Sequence, residues 1–310
     1  MRVFVTGASG FIGQAVVQEL LQAGHQVLGL ARSDKSAELL KSLGAEVHQG
    51  SLEDLDSLKQ GATSSDGVIH LAFNHESKDM AVACRKDQAA ITAMGDALAG
   101  SNRLLIMTSG TMLCDHGRLV TEDDTPDLNS GMAALRGALE AVTLSLVSQG
   151  VRVSVVRLPP TNHGDGDHRG FIVRIITLAR SKGVSAYVGE GLNRWCATHR
   201  LDTARVFRLA LEKGSAGSVF HAVAEEGVRF KDIAEAIGKQ LKIPVVSKSA
   251  EEAREHFGFL AFVVPEDNPT SSEKTQEALG WRAQYPSLIA DLESGVYFKQ
   301  YQLSHCEHFR

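Results

Sequence analysis

The stretch TGASGFIG, Thr6 to Gly13, follows the apolar run MRVFVT and opens the amphipathic pattern FIGQAVVQELLQAG. A pyrophosphate needs a tight turn, backbone N–H groups brought close to it and a helix N-terminus aimed at it. Glycines, which have no Cβ, permit that approach. A strand before the glycines and a helix after them indicate a dinucleotide site rather than a simple glycine-rich turn. We therefore predict cofactor contacts from loop residues Gly7, Ser9, Gly10, Phe11, Ile12 and Gly13.

Short β-branched runs alternate with helical patterns through the first half of the chain. Strands separated by helices indicate right-handed crossovers and a parallel sheet covered on both faces. The alternation stops after Pro159 and Pro160. The sequence thus predicts an α/β Rossmann fold, a doubly wound parallel sheet with a smaller C-terminal α/β substrate lobe. We assign 1–158 and roughly 200–222 to the dinucleotide-binding domain, and 159–199 and 223–310 to the lobe.

Composition limits the classes of function. The 310 residues are 43% hydrophobic, with a net charge of −5 and a pI near 6.2, so nucleic acid is not an expected partner. We find no apolar run of about 18 residues and no signal peptide, and we expect a cytoplasmic protein without a membrane partner. The scattered cysteines are expected to be free thiols, and no metal is expected, because the tail residues His305, Cys306 and His308 fit a frayed terminus better than a metal site.

The end of the second predicted strand, LARSD, bears on the choice of cofactor. A NAD site places an acid there to accept a hydrogen bond from the ribose 2′-OH. Here Ala31 is followed by Arg32 and Ser33, and an arginine pairs well with a 2′-phosphate. We therefore expect NADP(H). The alternative is that Arg32 is a solvated surface charge and Asp34 turns inward to serve NAD.

Further motifs follow in a fixed order: HLAF, then TSG, then RLPPTNHG. With the G-x-x-G-x-x-G spacing of the first loop, the chain resembles the extended short-chain dehydrogenase/reductase family, of NAD-dependent epimerase/dehydratase type. It is most similar to an atypical branch that includes fungal imine-reducing enzymes of indole-alkaloid synthesis. The resemblance implies hydride transfer. It also implies cofactor contacts from Ser51, Leu52, Leu71, Ala72, Phe73, Thr108 and Pro159.

In that family a tyrosine gives up the proton, and a lysine four residues later lowers its pKa and holds the nicotinamide ribose. The aligned stretch here, GMAALRGALE, has Met132 and Arg136 at those places, and no Y-x-x-x-K occurs anywhere in the sequence. Arg136 can bond ribose hydroxyls but cannot act as a general acid. The hydroxyls of Ser109 and Thr111 are candidates for holding substrate, or are ordinary strand-end hydroxyls satisfied by backbone.

A histidine could replace the missing acid, directly or through water. The stretch TNHGDGDHRG places His163, Asp165 and His168 close together after the prolines, and the alternative is a polar turn. A cationic iminium substrate would need no acid at all. The stretch also departs from the fungal enzymes, which have a tryptophan where His168 stands. The expected substrate-pocket residues are Asn74, His75, Met132, Trp195 and His199.

The sequence as a whole predicts an NADPH-dependent reductase of a ketone, aldehyde or imine on a bulky hydrophobic small molecule. Two alternatives stay open. One is a non-catalytic NADP(H)-binding sensor or scaffold, and the other is a non-redox lyase or cyclase that uses NADPH structurally. A homodimer is possible, because the apolar stretch HFGFLAFVV could close the pocket or form a subunit contact.

Overall fold

One parallel sheet organises the computed structural model, which describes residues 1–114, 117–129 and 131–299. Its strands are β1 (Arg2–Thr6), β2 (Gln26–Ala31), β3 (Glu46–Gln49), β4 (Gly67–His70), β5 (Leu104–Gly110), β6 (Arg152–Leu158) and β10 (Ser218–His221). They lie in the order β10-β6-β5-β4-β1-β2-β3, and every neighbouring pair is parallel. The predicted Rossmann-type α/β fold is confirmed.

Helices cover both faces of this sheet. They are α1 (Phe11–Gln22), α2 (Asp34–Ser42), α3 (Leu55–Thr63), α4 (Met80–Leu98), α5 (Gly131–Ser145) and α7 (Arg200–Lys213). On one face α1 packs against α7, with Leu20 and Phe207 fully buried in a shared core. On the other, α3, α4 and α5 pack in sequence over Leu58, Met94 and Leu139. Buried apolar residues on both faces explain why the strands read as continuous apolar runs.

A smaller α/β region follows β6. Its strands are β7 (Thr161–His163), β8 (Ser185–Val188), β9 (Arg194–His199), β11 (Glu225–Arg229) and β12 (Val245–Lys248). Its helices are α6 (Phe171–Lys182), α8 (Phe230–Leu241), α9 (Ala250–Phe257), α10 (Glu273–Leu279), α11 (Leu288–Ser294) and α12 (Val296–Lys299). The strand β9 lies between β7 and β11 in a three-stranded sheet.

Trp195 on β9 forms the centre of the core of this region. Its ring is fully buried, with ring centroids 5.8 Å from Phe171 and 5.0 Å from Phe230. The tilted ring of Phe171 and the edge-to-face ring of Phe230 are neighbours typical of a packed core. This placement differs from the expected role of Trp195 as a wall of the substrate pocket, because a fully buried ring offers no surface to a ligand.

The order of the strands locates the crevice for a ligand. The chain runs outward through β1, β2 and β3, then returns to the other side of β1 at β4. In open α/β sheets, ligands bind beyond the carboxyl ends of the strands at such a switch point. The loop after β1 and the segment after β4 are therefore the two sides of the expected cofactor crevice.

One helical stretch of the described residues, Gly131–Gln149, is long and apolar enough to cross a membrane. We expected no apolar run of this length from the sequence. The stretch contains α5, which crosses from β5 to its neighbour β6 and has the buried side chain of Glu140. Length and composition are weak evidence for a span, since a helix packed on a sheet passes the same test.

Candidate functional site

The loop after β1 can form only with glycine at two positions. Gly7 has a φ of +67°, and a Cβ there would lie 2.7 Å from the backbone nitrogen of Ala72. A Cβ on Gly13 would lie 2.0 Å from the carbonyl oxygen of Gly7. The turn is closed by the amide of Gly10, which donates to that same oxygen at 2.9 Å. The backbone therefore approaches itself as closely as a dinucleotide loop requires.

The helix that this loop opens has an N-terminus without a side-chain cap. Gly10 is the N-cap residue of α1, and no side chain of the described residues caps the first amides. Phe11 and Ile12, the first two helical residues, are half-buried. Uncapped amides and the helix dipole favour an anion at this end. The loop and helix thus fit the pyrophosphate of a dinucleotide.

A buried histidine fixes the opposite side of this crevice. His70, at the end of β4, lies 2.7 Å through Nδ1 from Oγ1 of Thr6 and 3.1 Å through Nε2 from Oδ1 of Asp87. The amide of Ala72 donates to the same Thr6 hydroxyl at 3.2 Å. This network holds Leu71 and Ala72 against Gly7. Sequence reasoning missed His70 and Asp87 as positioning residues, and only the polar side chain ending the apolar run VIH could have indicated one.

The end of β2 contains the residues on which the choice between NADP(H) and NAD depends. Ala31 is buried, whereas Arg32 is exposed and makes no hydrogen bond or ion pair with any residue of the described ranges. The hydroxyl of Ser33 accepts from the amide of Ser36 at 3.3 Å and caps α2. Ser51 and Leu52 are half-buried beyond the adjacent end of β3. Arg32 is therefore available to a phosphate at the adenosine end of the crevice.

The hydroxyls at the end of β5 are all engaged by protein. Thr108 donates to the carbonyl of His70 at 2.8 Å, and Ser109 donates to the carboxylate of Glu140. Thr111 is fully buried and donates to Oδ1 of Asn268 at 2.7 Å. This differs from the expectation that Ser109 and Thr111 hold the substrate, because satisfied, buried hydroxyls face other protein groups.

Glu140 belongs to a buried ion pair that sequence reasoning did not identify. Arg157 on β6 is 1% exposed, and its Nη2 donates to Glu140 at 2.8 Å. Nη1 of Arg157 lies 3.3 Å from Nε2 of His221 on β10. Burial lowers the pKa of Arg157, but the hydrogen bond and charge of Glu140 outweigh it and raise that pKa. The end of β5 is thus fixed to β6 and β10 by a closed polar network.

Arg136, one helical turn after the exposed Met132, faces the crevice from α5. Its guanidinium carbon lies 4.0 Å from the centroid of the Phe73 ring, a cation–π geometry. Its Nε is buried and has no hydrogen-bond partner among the described residues. The ring of His75 lies 4.9 Å from that of Phe73. An orphaned buried donor beside two aromatic rings is the feature of this crevice that calls for a ligand.

The charge of Arg136 affects its neighbours. The surrounding protein, and then the positive charge of Arg136, lower the pKa of His75 to about 4. His75 is therefore neutral at physiological pH. The preceding residue, Asn74, is exposed. Its side-chain oxygen accepts a hydrogen bond from the amide of Glu76 at 3.1 Å. Of the predicted pocket residues, Asn74, His75 and Met132 keep much of their surface exposed, although the protein around the ring of His75 is close enough to desolvate it.

The loop after β7 does not gather its polar residues into one site. His163 is fully buried, and its Nδ1 lies 2.6 Å from Asp291. Asp165 and His168 are exposed, while Asp167 is buried and accepts from the amide of Gly170 at 2.8 Å. This disposition differs from the predicted catalytic cluster, because the turn at Asp167 separates an internal histidine from an external one.

Two further predicted residues have structural partners. Nδ1 of His199 accepts from the amide of Leu201 at 3.3 Å and caps α7, and its ring stacks on Tyr285 at 5.1 Å. Pro159 is buried, and its carbonyl accepts from Asn162 at 3.3 Å. His199 is therefore a helix cap that retains only slight exposure, rather than an open wall of the pocket.

The described residues contain no group of three or more His, Cys, Asp or Glu side chains arranged to hold a metal ion. The tail residues His305, Cys306 and His308 lie outside the described residues. Cys84, Cys114 and Cys196 are buried and form no disulfide with one another, and Cys306 also lies outside the described ranges.

The chain is similar to a known protein family, to curated relatives and to solved structures. A family model described as NAD dependent epimerase/dehydratase family matches residues 3–223. An uncharacterized protein of Schizosaccharomyces pombe is 51% identical over 96% of this chain and its own full length. A 4-hydroxy-2-methyl-3-oxo-4-farnesyl-3,4-dihydroquinoline-1-oxide ketoreductase of Stigmatella aurantiaca is 25% identical over 83% of this chain and 80% of its own. The structure of a dTDP-glucose 4,6-dehydratase from Streptomyces venezuelae with NAD bound superposes with a TM-score of 0.76, at 19% identity, over 97% of this chain and 98% of its own.

Proposed function

Because the chain belongs to the NAD dependent epimerase/dehydratase family, we propose that it is an NADPH-dependent reductase. Its substrate is the ketone, aldehyde or imine group of a bulky hydrophobic small molecule, reduced without the usual tyrosine and lysine. The observation that carries the proposal is Arg136, whose buried Nε has no partner and whose charge faces Phe73 and His75. The buried Nε–H of this guanidinium gains a hydrogen bond when a ligand in the crevice accepts it.

The preference for NADPH over NADH rests on the end of β2. No carboxylate occupies the position after Ala31, and the free guanidinium of Arg32 stands there instead. A planar guanidinium matches the oxygens of a 2′-phosphate in a bidentate manner. When bound, the cofactor supplies a hydride from C4 of its nicotinamide ring. Gly7 and Gly13 allow the backbone to hold its pyrophosphate, and Arg136 bonds the nicotinamide ribose hydroxyls.

The proton for a carbonyl substrate comes from water in the crevice. Arg136 stays charged and donates no proton, and His75 is neutral because its pKa is lowered to about 4. A neutral imidazole still donates a hydrogen bond to a substrate oxygen or nitrogen. His163 has its Nδ1 on Asp291 inside the protein, so we assign it no role as acid. An iminium substrate needs no proton at all.

The relative with ketoreductase in its name favours a carbonyl on a large apolar skeleton, since that name specifies a farnesyl-dihydroquinoline oxide. The rival function, a non-catalytic NADP(H) sensor, is favoured by the hydroxyls at the end of β5. Thr108, Ser109 and Thr111 are all engaged by protein, as they would be in a protein that binds a cofactor without reacting. We also propose a small molecule as the partner and leave a homodimer as a prediction.

Turnover separates the two functions. The purified protein is mixed with NADPH and a panel of aryl ketones, aldehydes and cyclic imines, and absorbance at 340 nm is followed. We expect NADPH oxidation with at least one bulky apolar member of the panel. Tight NADPH binding without oxidation across the whole panel would establish the sensor and end the reductase proposal.

The cofactor preference has its own test in Arg32→Ala. The affinity for NADPH should fall by about 10- to 100-fold, because about 1.5–3 kcal/mol is typical of hydrogen bonds to a charged group. The affinity for NADH should stay within about twofold, since it lacks the 2′-phosphate. Fluorescence titration of both cofactors measures these constants. Equal losses for NADPH and NADH, or no loss for either, would reject Arg32 as the 2′-phosphate ligand.

A further inference from the structure

Arg200 is a cation that the sequence did not bring to notice, and it lies beside the first turn of α1. It is the first residue of α7, on the chain that returns from β9. Its guanidinium carbon lies 5.1 Å from the centroid of the Phe11 ring, and its Nη1 donates to the carbonyl of Phe11 at 3.4 Å. Phe11 is the residue that follows the uncapped N-cap Gly10. Arg200 therefore lies against the first residue of α1, in the turn that is expected to meet a pyrophosphate.

The side chain is held in place but incompletely engaged. Arg200 is half-buried, and a Cβ on Gly166 would lie 3.4 Å from its Nη1, so the loop after β7 covers it on one side. The hydrogen bond to Phe11 is long for an N–H···O bond, whose usual length is about 2.9–3.0 Å. Burial lowers the pKa of Arg200, although the negative charges of Asp165 and Asp167 oppose that shift. A positioned guanidinium with a weak bond gains energy from a stronger acceptor.

The glycine-rich loop has no positive side chain to balance the charge of a bound pyrophosphate. A dinucleotide pyrophosphate has two negative charges, and the loop TGASGFIG contains no lysine or arginine to balance them. Arg32 stands at the end of β2 and Arg136 on α5 beside Phe73. These two serve the adenosine and nicotinamide ends of the cofactor. Only backbone amides and the dipole of α1 would otherwise meet the diphosphate.

We propose that Arg200 is a pyrophosphate-binding residue, which reaches across from α7 to pair with the diphosphate held at the N-terminus of α1. The proposal rests on the proposed function, because it requires a dinucleotide in the crevice. Beyond that function, it states that Arg200 of α7 contributes to affinity for the diphosphate. This contribution does not depend on whether the dinucleotide has a 2′-phosphate. Arg200 thereby connects the loop after β7 to the cofactor.

Three ligands distinguish this role from that of Arg32. NADPH, NADH and 2′-AMP are titrated into the whole protein by calorimetry, with 2′-AMP also measured by competition against NADPH fluorescence. Arg200→Met should weaken NADPH and NADH alike, by about 10- to 100-fold, since both have the diphosphate. It should leave 2′-AMP, which has none, within twofold. Arg32→Ala should give the crossed pattern, with losses for NADPH and 2′-AMP and none for NADH.

A matched control lies on the same helix. Arg208 of α7 also reaches α1, where its Nε donates to Glu19 at 2.7 Å, but it lies two turns from the loop. Arg208→Met removes another arginine contact between α7 and α1, in this case an ion pair, so it should leave all three affinities within twofold. Arg200→Lys keeps the charge but loses the bidentate fork. It should lose affinity for both dinucleotides by a smaller factor, and it replaces Arg200→Met if that variant unfolds in a thermal melt.

Several outcomes would overturn the proposal. One is unchanged affinity for NADH in Arg200→Met, and another is an equal loss for 2′-AMP. A loss in Arg208→Met as large as in Arg200→Met would show that packing between α1 and α7 is responsible. Absence of any dinucleotide binding by the unaltered protein is a different result. It would reject the proposed function itself, before any variant is compared.

Discussion

The glycine-rich loop and the junction between β5 and α5 lie at the same edge of the sheet, but they are built in different ways. The loop is made by backbone, with a Cβ excluded at Gly7 and Gly13 by neighbouring main-chain atoms. The junction is made by side chains, where Ser109, Glu140 and Arg157 close a buried polar network. One region presents open amides to a ligand, and the other turns its polar groups inward.

The difference shows that this chain has kept a phosphate-binding loop, which is common to many proteins, and has changed the side chains used for proton transfer. A phosphate loop works through amides that every residue has, so any sequence with the right glycines can keep it. Proton transfer needs particular side chains, and among the described residues of the junction Arg136 has a buried Nε without a hydrogen-bond partner. Binding of the cofactor is therefore expected to be robust to surface change, and the reaction to depend on a few groups around Phe73.

The largest effect is expected from breaking the junction network at Glu140. Glu140→Gln leaves the charge of Arg157 buried without a counter-charge, which should reduce the free energy of unfolding by about 3–5 kcal/mol. Urea unfolding followed by circular dichroism measures it. The control is Lys86→Met, which removes an exposed ion pair with Glu53 and should cost less than about 1 kcal/mol. Equal costs for the two variants would mean that the network is not a structural anchor.

A methyl group added to the glycine-rich loop should reduce stability by a smaller amount, and it should also weaken NADPH binding. Gly13→Ala places a Cβ 2.0 Å from the carbonyl oxygen of Gly7, and such overpacking costs about 1–3 kcal/mol. NADPH affinity should fall at least tenfold because the loop must shift. Gly10→Ala meets the same oxygen at 3.1 Å, so it should cost less stability and less NADPH affinity than Gly13→Ala. If thermal melts and NADPH titrations give the same values for both variants, the loop is not set by this contact.

The same contrast explains what the sequence could predict. The glycine spacing and the alternation of strands and helices predicted the parallel sheet and its crevice, because both follow from backbone geometry. The pocket was harder to predict, since Trp195 is buried against Phe171 and Phe230 and the ring of His199 stacks on Tyr285, and these contacts form only in the fold. His70 and Arg157 were missed for the same reason. Their partners Asp87 and Glu140 stand on helices 17 residues away in the chain.

The smallest expected effect is a shift in the pKa of His75, which lies beside Arg136 in the crevice. Burial and then the charge of Arg136 lower its pKa to about 4, with Arg174 adding less and Asp87 opposing. Arg136→Met keeps an apolar side chain over Phe73 and removes the charge. The pKa of His75 should therefore rise toward its usual value near 6.5 but stay below it, because burial persists. NMR titration of the imidazole Cε1 proton, assigned with His75→Gln, measures the shift.

Arg174→Met is the control for that titration, and it should raise the pKa of His75 by a smaller amount. The sign also fixes a pH dependence. A lowered pKa in the folded state means that the unfolded chain binds the proton more readily between about pH 4 and 6.5. Neutral His75 therefore favours the fold above about pH 6.5, and this contribution is lost as the pH falls through about 4. In Arg136→Met that loss should become smaller, because the folded and unfolded pKa values lie closer together. An unchanged His75 pKa in this variant would place the guanidinium away from the imidazole, and the crevice would then lack the charged side that distinguishes it from the loop.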